Sequence, residues 1–109
     1  MTNYLFIESR DPFESTDTRF VAETAAALQQ RDAEVTVFLV QNGVLAARRN
    51  ARASQVQALA KAGVKLLADD FSLRERGIQP AELIPGIQSS GVEAIVDALI
   101  RPNTRVLWH

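Results

Sequence analysis

Short apolar runs alternate with segments of helical periodicity along this chain, and that alternation restricts the fold more than any single residue does. Tyr4 to Ile7 and Val35 to Val40 are continuous apolar runs, the second rich in β-branched and aromatic residues. Both read as strands covered on two faces. Between them Phe20, Val21, Ala25 and Leu28 recur at helical spacing, with Ser15, Asp17 or Thr18 placed to cap the start. A strand, helix, strand unit of this kind favours a right-handed parallel crossover. The pattern then repeats. Gln41, Asn42 and Gly43 leave the second strand, Val56, Leu59 and Ala60 line one helix face, Gly63 ends that helix, and Val64 to Ala68 resumes the buried-strand signature. The segment 44–52 is alanine-rich and basic, and reads as either a short helix or a loop.

After Gly77 the pattern becomes irregular. Pro80 is suited to open one helical turn, Glu82 to sit near its amino end, and Pro85-Gly86 to close it. Ser90 and Glu93 have capping-box spacing ahead of an apolar stripe of Val92, Ile95, Val96, Leu99 and Ile100. Pro102-Asn103 ends that helix, and Thr104 to Trp108 reads as a last strand, with Trp108 expected in the core or at an interface and His109 expected to fray. The expected fold is a three-layer α/β domain spanning residues 1–109, with a mostly parallel four- to five-stranded sheet and helices on both faces.

Composition narrows the function. At 109 residues and 47% apolar content, the chain is of a size to build one continuous core. Twelve basic and thirteen acidic residues leave a formal charge of -1, so no global field points to nucleic acid or an anionic membrane. No cysteine is present, which excludes disulfides, thiolate chemistry and zinc sites with sulfur ligands. No apolar run approaches the ~20 residues that span a bilayer, and the opening MTNYLFIESRD lacks a signal-peptide pattern. A cytoplasmic soluble protein is expected, with no cofactor or metal.

Parallel sheets bind ligands beyond the carboxyl ends of their strands, which selects three loops: 8–18, 41–52 and 69–80. In the first, Glu8 and Asp11 have the chemistry of an acid and base pair; the plainer reading is a proline-directed turn in which Asp11 and Ser15 satisfy backbone donors. In the second, Arg48, Arg49 and Arg52 near a helix start suit an anion, but no Gly-rich phosphate fingerprint accompanies them, and a solvated face explains them as well. Asn42-Gly43 reads as a tight turn with a positive backbone dihedral. The third loop, LLADDFSLRERG, places Ser72 and Glu75 at capping-box spacing and Asp69 or Asp70 at the start of a helical turn. A serine nucleophile there lacks a nearby base, and adjacent aspartates without a further acidic partner make a poor magnesium site. The candidate ligand-binding set is Glu8, Asn42, Gly43, Arg48, Arg49, Asp69, Asp70, Ser72 and Arg76, with no catalytic residue assigned.

Through YLFIESRDPFES, VTVFLVQNGV, GVKLLADDFSLRERGI, GVEAIVDAL and the final RVLW, the whole chain resembles the DsrE/DsrF-like group, which includes sulfur relay subunits. The resemblance implies a small α/β subunit that forms trimers or hexamers, homomeric or with related subunits, in a cytoplasmic pathway that passes sulfur as a persulfide. It also implies a cysteine in the loop after the third strand, before the leucine and the Arg-Gly pair. Here that neighbourhood is Asp69, Asp70, Phe71 and Ser72, ahead of Leu73, Arg76 and Gly77. A persulfide carrier needs a thiolate that attacks and leaves, which neither a carboxylate nor an alcohol replaces. The expectation is therefore a non-catalytic binding or structural subunit. Two alternatives are a cysteine-independent enzyme using Asp69, Asp70 or Glu8, and a regulatory partner for a cysteine-bearing relay protein.

Overall fold

A computed structural model describes residues 2–109. Five strands form one sheet: β1 (Asn3–Glu8), β2 (Glu34–Leu39), β3 (Lys65–Asp69), β4 (Ile87–Ser90) and β5 (Thr104–Trp108), in the order β4-β3-β2-β1-β5. All four pairings are parallel. Four helices accompany them: α1 (Asp17–Gln29), α2 (Ser54–Lys61), α3 (Asp70–Glu75) and α4 (Val92–Ile100). The expected mostly parallel α/β sheet flanked by helices is present.

Side-chain alternation explains why the central strands read as unbroken apolar runs. Phe6, Val37, Leu39, Leu66 and Ala68 point to the face covered by α1 and α2, against Val21, Ala25, Val56 and Leu59. Leu5, Ile7, Phe38, Val40 and Leu67 point the other way, onto Ala94, Ile95 and Ala98 of α4. Both faces are covered by helices, so residues of either parity in the middle of these strands are almost all apolar. Successive connections carry the chain from β1 outward to β4 on the first face, then α4 returns it across the opposite face to β5 beside β1. Right-handed crossovers require this change of face when the direction reverses. The reversal puts the topological switch point between β1 and β5.

Some local expectations hold, some are decided and others are corrected. The irregular stretch after Gly77 contains β4, whose four residues include one buried side chain, Ile87, followed by Gln88, Ser89 and Ser90. The one-turn helix at Pro80–Glu82 forms as a 3-10 turn, with Glu82 Oε1 accepting the Gln79 N–H. Segment 44–52 is covered mostly by two 3-10 stretches, Gln41–Ala47 and Arg49–Ala51, separated by an extended Arg48 that bridges to Leu83. Helix α4 starts after Gly91 with no side-chain cap, so the Ser90/Glu93 box does not form. On α1 the stripe includes Val21 and Ala25, while Phe20 is 68% exposed. Trp108 is 66% exposed and lies outside the core of the chain. Among the described residues no helix is long and apolar enough to cross a membrane.

Candidate functional site

At the carboxyl ends of the strands the polar residues separate into two clusters. The first joins β3, α3 and the turn after β2. Asp69 is the N-cap of α3, and its Oδ2 accepts the Ser72 N–H at 3.0 Å and the Ser72 hydroxyl at 2.6 Å. Ser72, buried, in turn accepts the Gln41 N–H on Oγ at 2.8 Å. The expected Ser72/Glu75 box is thus replaced by an aspartate cap one position before the helix. That cap commits the serine proton to a carboxylate and a serine lone pair to the backbone, leaving Ser72 a structural link between loops.

Gln41 adopts a left-handed conformation, φ 50°, and its backbone N–H is the one Ser72 holds. Strain at a non-glycine residue is therefore tied to this hydrogen bond. Asn42 follows, half-buried, its Oδ1 accepting from Arg76 Nε at 3.2 Å and Nη2 at 3.0 Å, while its Nδ2 donates to Glu14 Oε1 at 3.3 Å. Arg76 also donates to the Ser72 carbonyl from Nη1 at 3.3 Å. The guanidinium fork is largely used in bracing α3 against the β2 loop.

Gly43 is not at a positive φ; the left-handed residue of this turn is Gln41. Glycine is required at 43 for close approach, because a Cβ would lie 2.2 Å from the Glu8 carbonyl oxygen. The same carbonyl accepts the Val40 N–H at 2.9 Å. The β2 turn is thereby pressed onto the end of β1, where the second cluster begins.

Glu8 is a buried carboxylate, 6% exposed. His109 Nδ1 lies 2.9 and 2.8 Å from its two oxygens, and the Arg10 backbone N–H donates to Oε2 at 3.2 Å. Because a carboxylate accepts, Nδ1 carries the hydrogen, which leaves Nε2 turned away from Glu8. His109 does not fray: its N–H donates to the Ile7 carbonyl at 2.9 Å, and its own carbonyl accepts the Ser9 N–H and hydroxyl, each at 2.8 Å. Glu8 also lines a small, mostly apolar cavity of about 30 Å³ with Val21, Val37, Leu39, Thr18 and Gln55. This is room for one or two small atoms or a water. The pair sits at the switch point, and the participation of His109 carried no local sequence signal: its partner is 101 residues away.

The remaining candidates lie apart. Arg48 Nε donates to the Leu45 carbonyl within its own segment, while Arg49 donates to the Ala81 carbonyl and ties two loops together. Asp70 is 44% exposed beside Arg74 at 3.7 Å. Glu8, Asp69 and Asp70 therefore have separate partners: His109, Ser72 and Arg74. Among the described residues no group of three or more His, Asp or Glu side chains is arranged to hold a metal ion.

A doubly covered parallel sheet of five strands, with polar clusters at the carboxyl ends of β1, β2 and β3, defines a small three-layer α/β domain. The family model for the DsrE/DsrF-like family matches residues 2–108, and the chain belongs to that family. It does so without any cysteine. No curated protein matches it in sequence. Solved structures share its fold. The ychN protein from E. coli superposes with a TM-score of 0.89 at 18% identity, covering 100% of both chains. MTH1491 from Methanobacterium thermoautotrophicum, a protein of unknown function, gives 0.83 at 21% identity over 100% of both. BT1422 from Bacteroides thetaiotaomicron, a conserved protein of unknown function, gives 0.77 at 14% identity, covering 98% of this chain and 94% of that one.

Proposed function

We propose that this chain is a non-catalytic, oligomeric binding or structural subunit, acting in sulfur metabolism without carrying sulfur itself. The observation that carries the reading is the loop after β3. Where the family resemblance expects a persulfide-bearing thiol, the chain has the run Asp69, Asp70, Phe71 and Ser72, in which the Asp69 carboxylate is spent on Ser72. No other residue of the chain supplies a sulfur nucleophile. The separation of Glu8, Asp69 and Asp70 into different pairings speaks against a shared acid and base pair, and so against the enzymatic alternative.

Oligomerisation is supported by α4 and β5. Val92, Val96, Leu99 and Ile100 on the helix and Val106, Leu107 and Trp108 on the strand are 39–74% exposed. An apolar surface of that extent belongs against another subunit. A trimer or hexamer, homomeric or with related subunits, is the expected assembly, and the polar clusters around Glu8 and Asn42 are its ligand-facing elements. Native mass spectrometry of protein isolated from its own cell tests assembly, retained ligand and partner chains together. A persulfide-transfer assay tests the chemistry: the purified chain should perform no better than an unrelated cysteine-free protein, and clear transfer by the chain alone would sink the proposal.

A further inference from the structure

The two edges of the sheet are built differently. At one edge β4 is short and runs Gln88-Ser89-Ser90 after Ile87, a polar strand of the kind that resists pairing with another chain. At the other edge β5 reads Thr-Arg-Val-Leu-Trp, with its last four residues exposed. It contains no proline or lysine, and its register against β1 is unbroken from Thr104 to Trp108, so no bulge turns it aside. Its outer row of backbone donors and acceptors is a template for another strand.

Both flanks of this edge are apolar. Register with Leu5 and Ile7 puts Val106 and Trp108 on the α4 face, the face that also presents Val96, Leu99 and Ile100. Register with Phe6 puts Leu107 on the α1 face. Strand pairing and side-chain burial are thus on offer at one place.

We infer that β5 pairs antiparallel with β5 of a second copy, about a two-fold axis perpendicular to the sheet, so that two five-stranded sheets join edge to edge. The inference rests on the oligomeric reading above and specifies its contact. Register follows from the side chains. Centring on Val106 sets Val106 opposite its own copy, Arg105 opposite Leu107, and Thr104 opposite Trp108. Centring on Arg105 would place like charges directly opposite, which is unfavourable. Centring on Leu107 would face Arg105 with His109. A one-residue slip would oppose side chains of different faces. In the Val106 register the two α4 helices flank a trough floored by the paired β5 strands, and both Trp108 rings enter it. Seven apolar side chains of α4 and β5 are 39–74% exposed, and burying them against a second copy supplies apolar contact toward the roughly 800 Å² that one partner contributes to a standard interface. A two-fold contact produces even-numbered assemblies, which is compatible with a hexamer and not with a lone cyclic trimer.

The absence of cysteine makes the test clean. Val106→Cys introduces a single thiol that meets its own copy at about 4.5–5.5 Å between Cα atoms, inside the range a disulfide bridges. Gln88→Cys, exposed on the β4 edge, is the control. Under mild oxidation the first should be trapped as a covalent dimer and the second should not, with native mass spectra of the wild type showing even-numbered species. Trp108 is the only tryptophan, so wild-type emission should move to shorter wavelength as concentration rises, a readout that needs no variant. Equal cross-linking of the two variants, or odd-numbered assemblies alone, would overturn the edge contact and leave the oligomeric reading standing. A monomer at micromolar concentration with unchanging emission would remove both.

Discussion

Glu8 and His109 show how a residue's meaning changes with its partner. A carboxylate at the end of a central strand is costly to bury, and here one imidazole and one backbone N–H offset the cost. The backbone of His109 is itself hydrogen-bonded to Ile7 and Ser9, so main chain and side chain together fasten the end of β5 to β1. His109→Ala should therefore cost more than the loss of one surface contact: roughly 1–3 kcal/mol, the usual range when a buried polar group loses its partner. Glu8→Gln keeps an oxygen that accepts from Nδ1–H and should cost less than His109→Ala. Urea unfolding of both variants at one fixed protein concentration decides the matter. A His109→Ala variant as stable as the wild type would reduce the pair to an incidental contact.

Among the elements, α3 depends most on side-chain detail. Six residues are too few for a helix to persist on intrinsic propensity, so its packing through Leu73 and its Asp69 cap must hold it. Asp69→Ala should destabilise the chain by about 1–2 kcal/mol. It should also speed amide exchange at Ser72, and at Gln41 whose N–H the same serine accepts. Protection unchanged at Gln41 would mean that the link between the two loops does not depend on the aspartate. Strand and helix elements differ in how far they can be read before folding. β1, β2 and β3 are legible because burial on both faces leaves mostly apolar residues in the run, whereas β4 is hidden because an edge strand with one buried side chain has no apolar pattern to show. The α4 stripe is legible as apolar but not as outward-facing: periodicity identifies a face without saying whether the chain itself covers it. At the site, the loops bearing Glu8, Asn42 and Asp69 follow from where strands end. The pairings do not, since Glu8 with His109 and Asn42 with Arg76 are created by strand order, which leaves no trace in local spacing.

For the molecule as a whole, core and surface are unequally finished. The α1 and α2 face of the sheet closes over a large cluster, while the α4 face closes through Ala94, Ile95 and Ala98 and leaves the larger apolar side chains of α4 outside. An isolated chain gains little from those outer side chains, and in the proposed assembly their contribution to stability comes from burial against another subunit. Linkage then makes the thermal midpoint depend on concentration: for a dimer, each tenfold increase adds about 1.4 kcal/mol per dimer, or about 0.7 kcal/mol per chain, which corresponds to a few degrees in a domain of this size. Ile100, 74% exposed, separates the two contributions. Ile100→Lys removes little that the single chain buries, so the midpoint at high dilution should stay near that of the wild type, within about the ±0.5 kcal/mol usual for surface changes. At high concentration the same variant should fall below the wild type, because a lysine ammonium in the trough beside Trp108 would have to lose its water without gaining a partner. Scanning calorimetry across a hundredfold concentration range measures both limits. A wild-type midpoint that ignores concentration over that range, at levels where the assembly is present at one end and absent at the other, would show that the exposed face of α4 contributes nothing to holding the folded state.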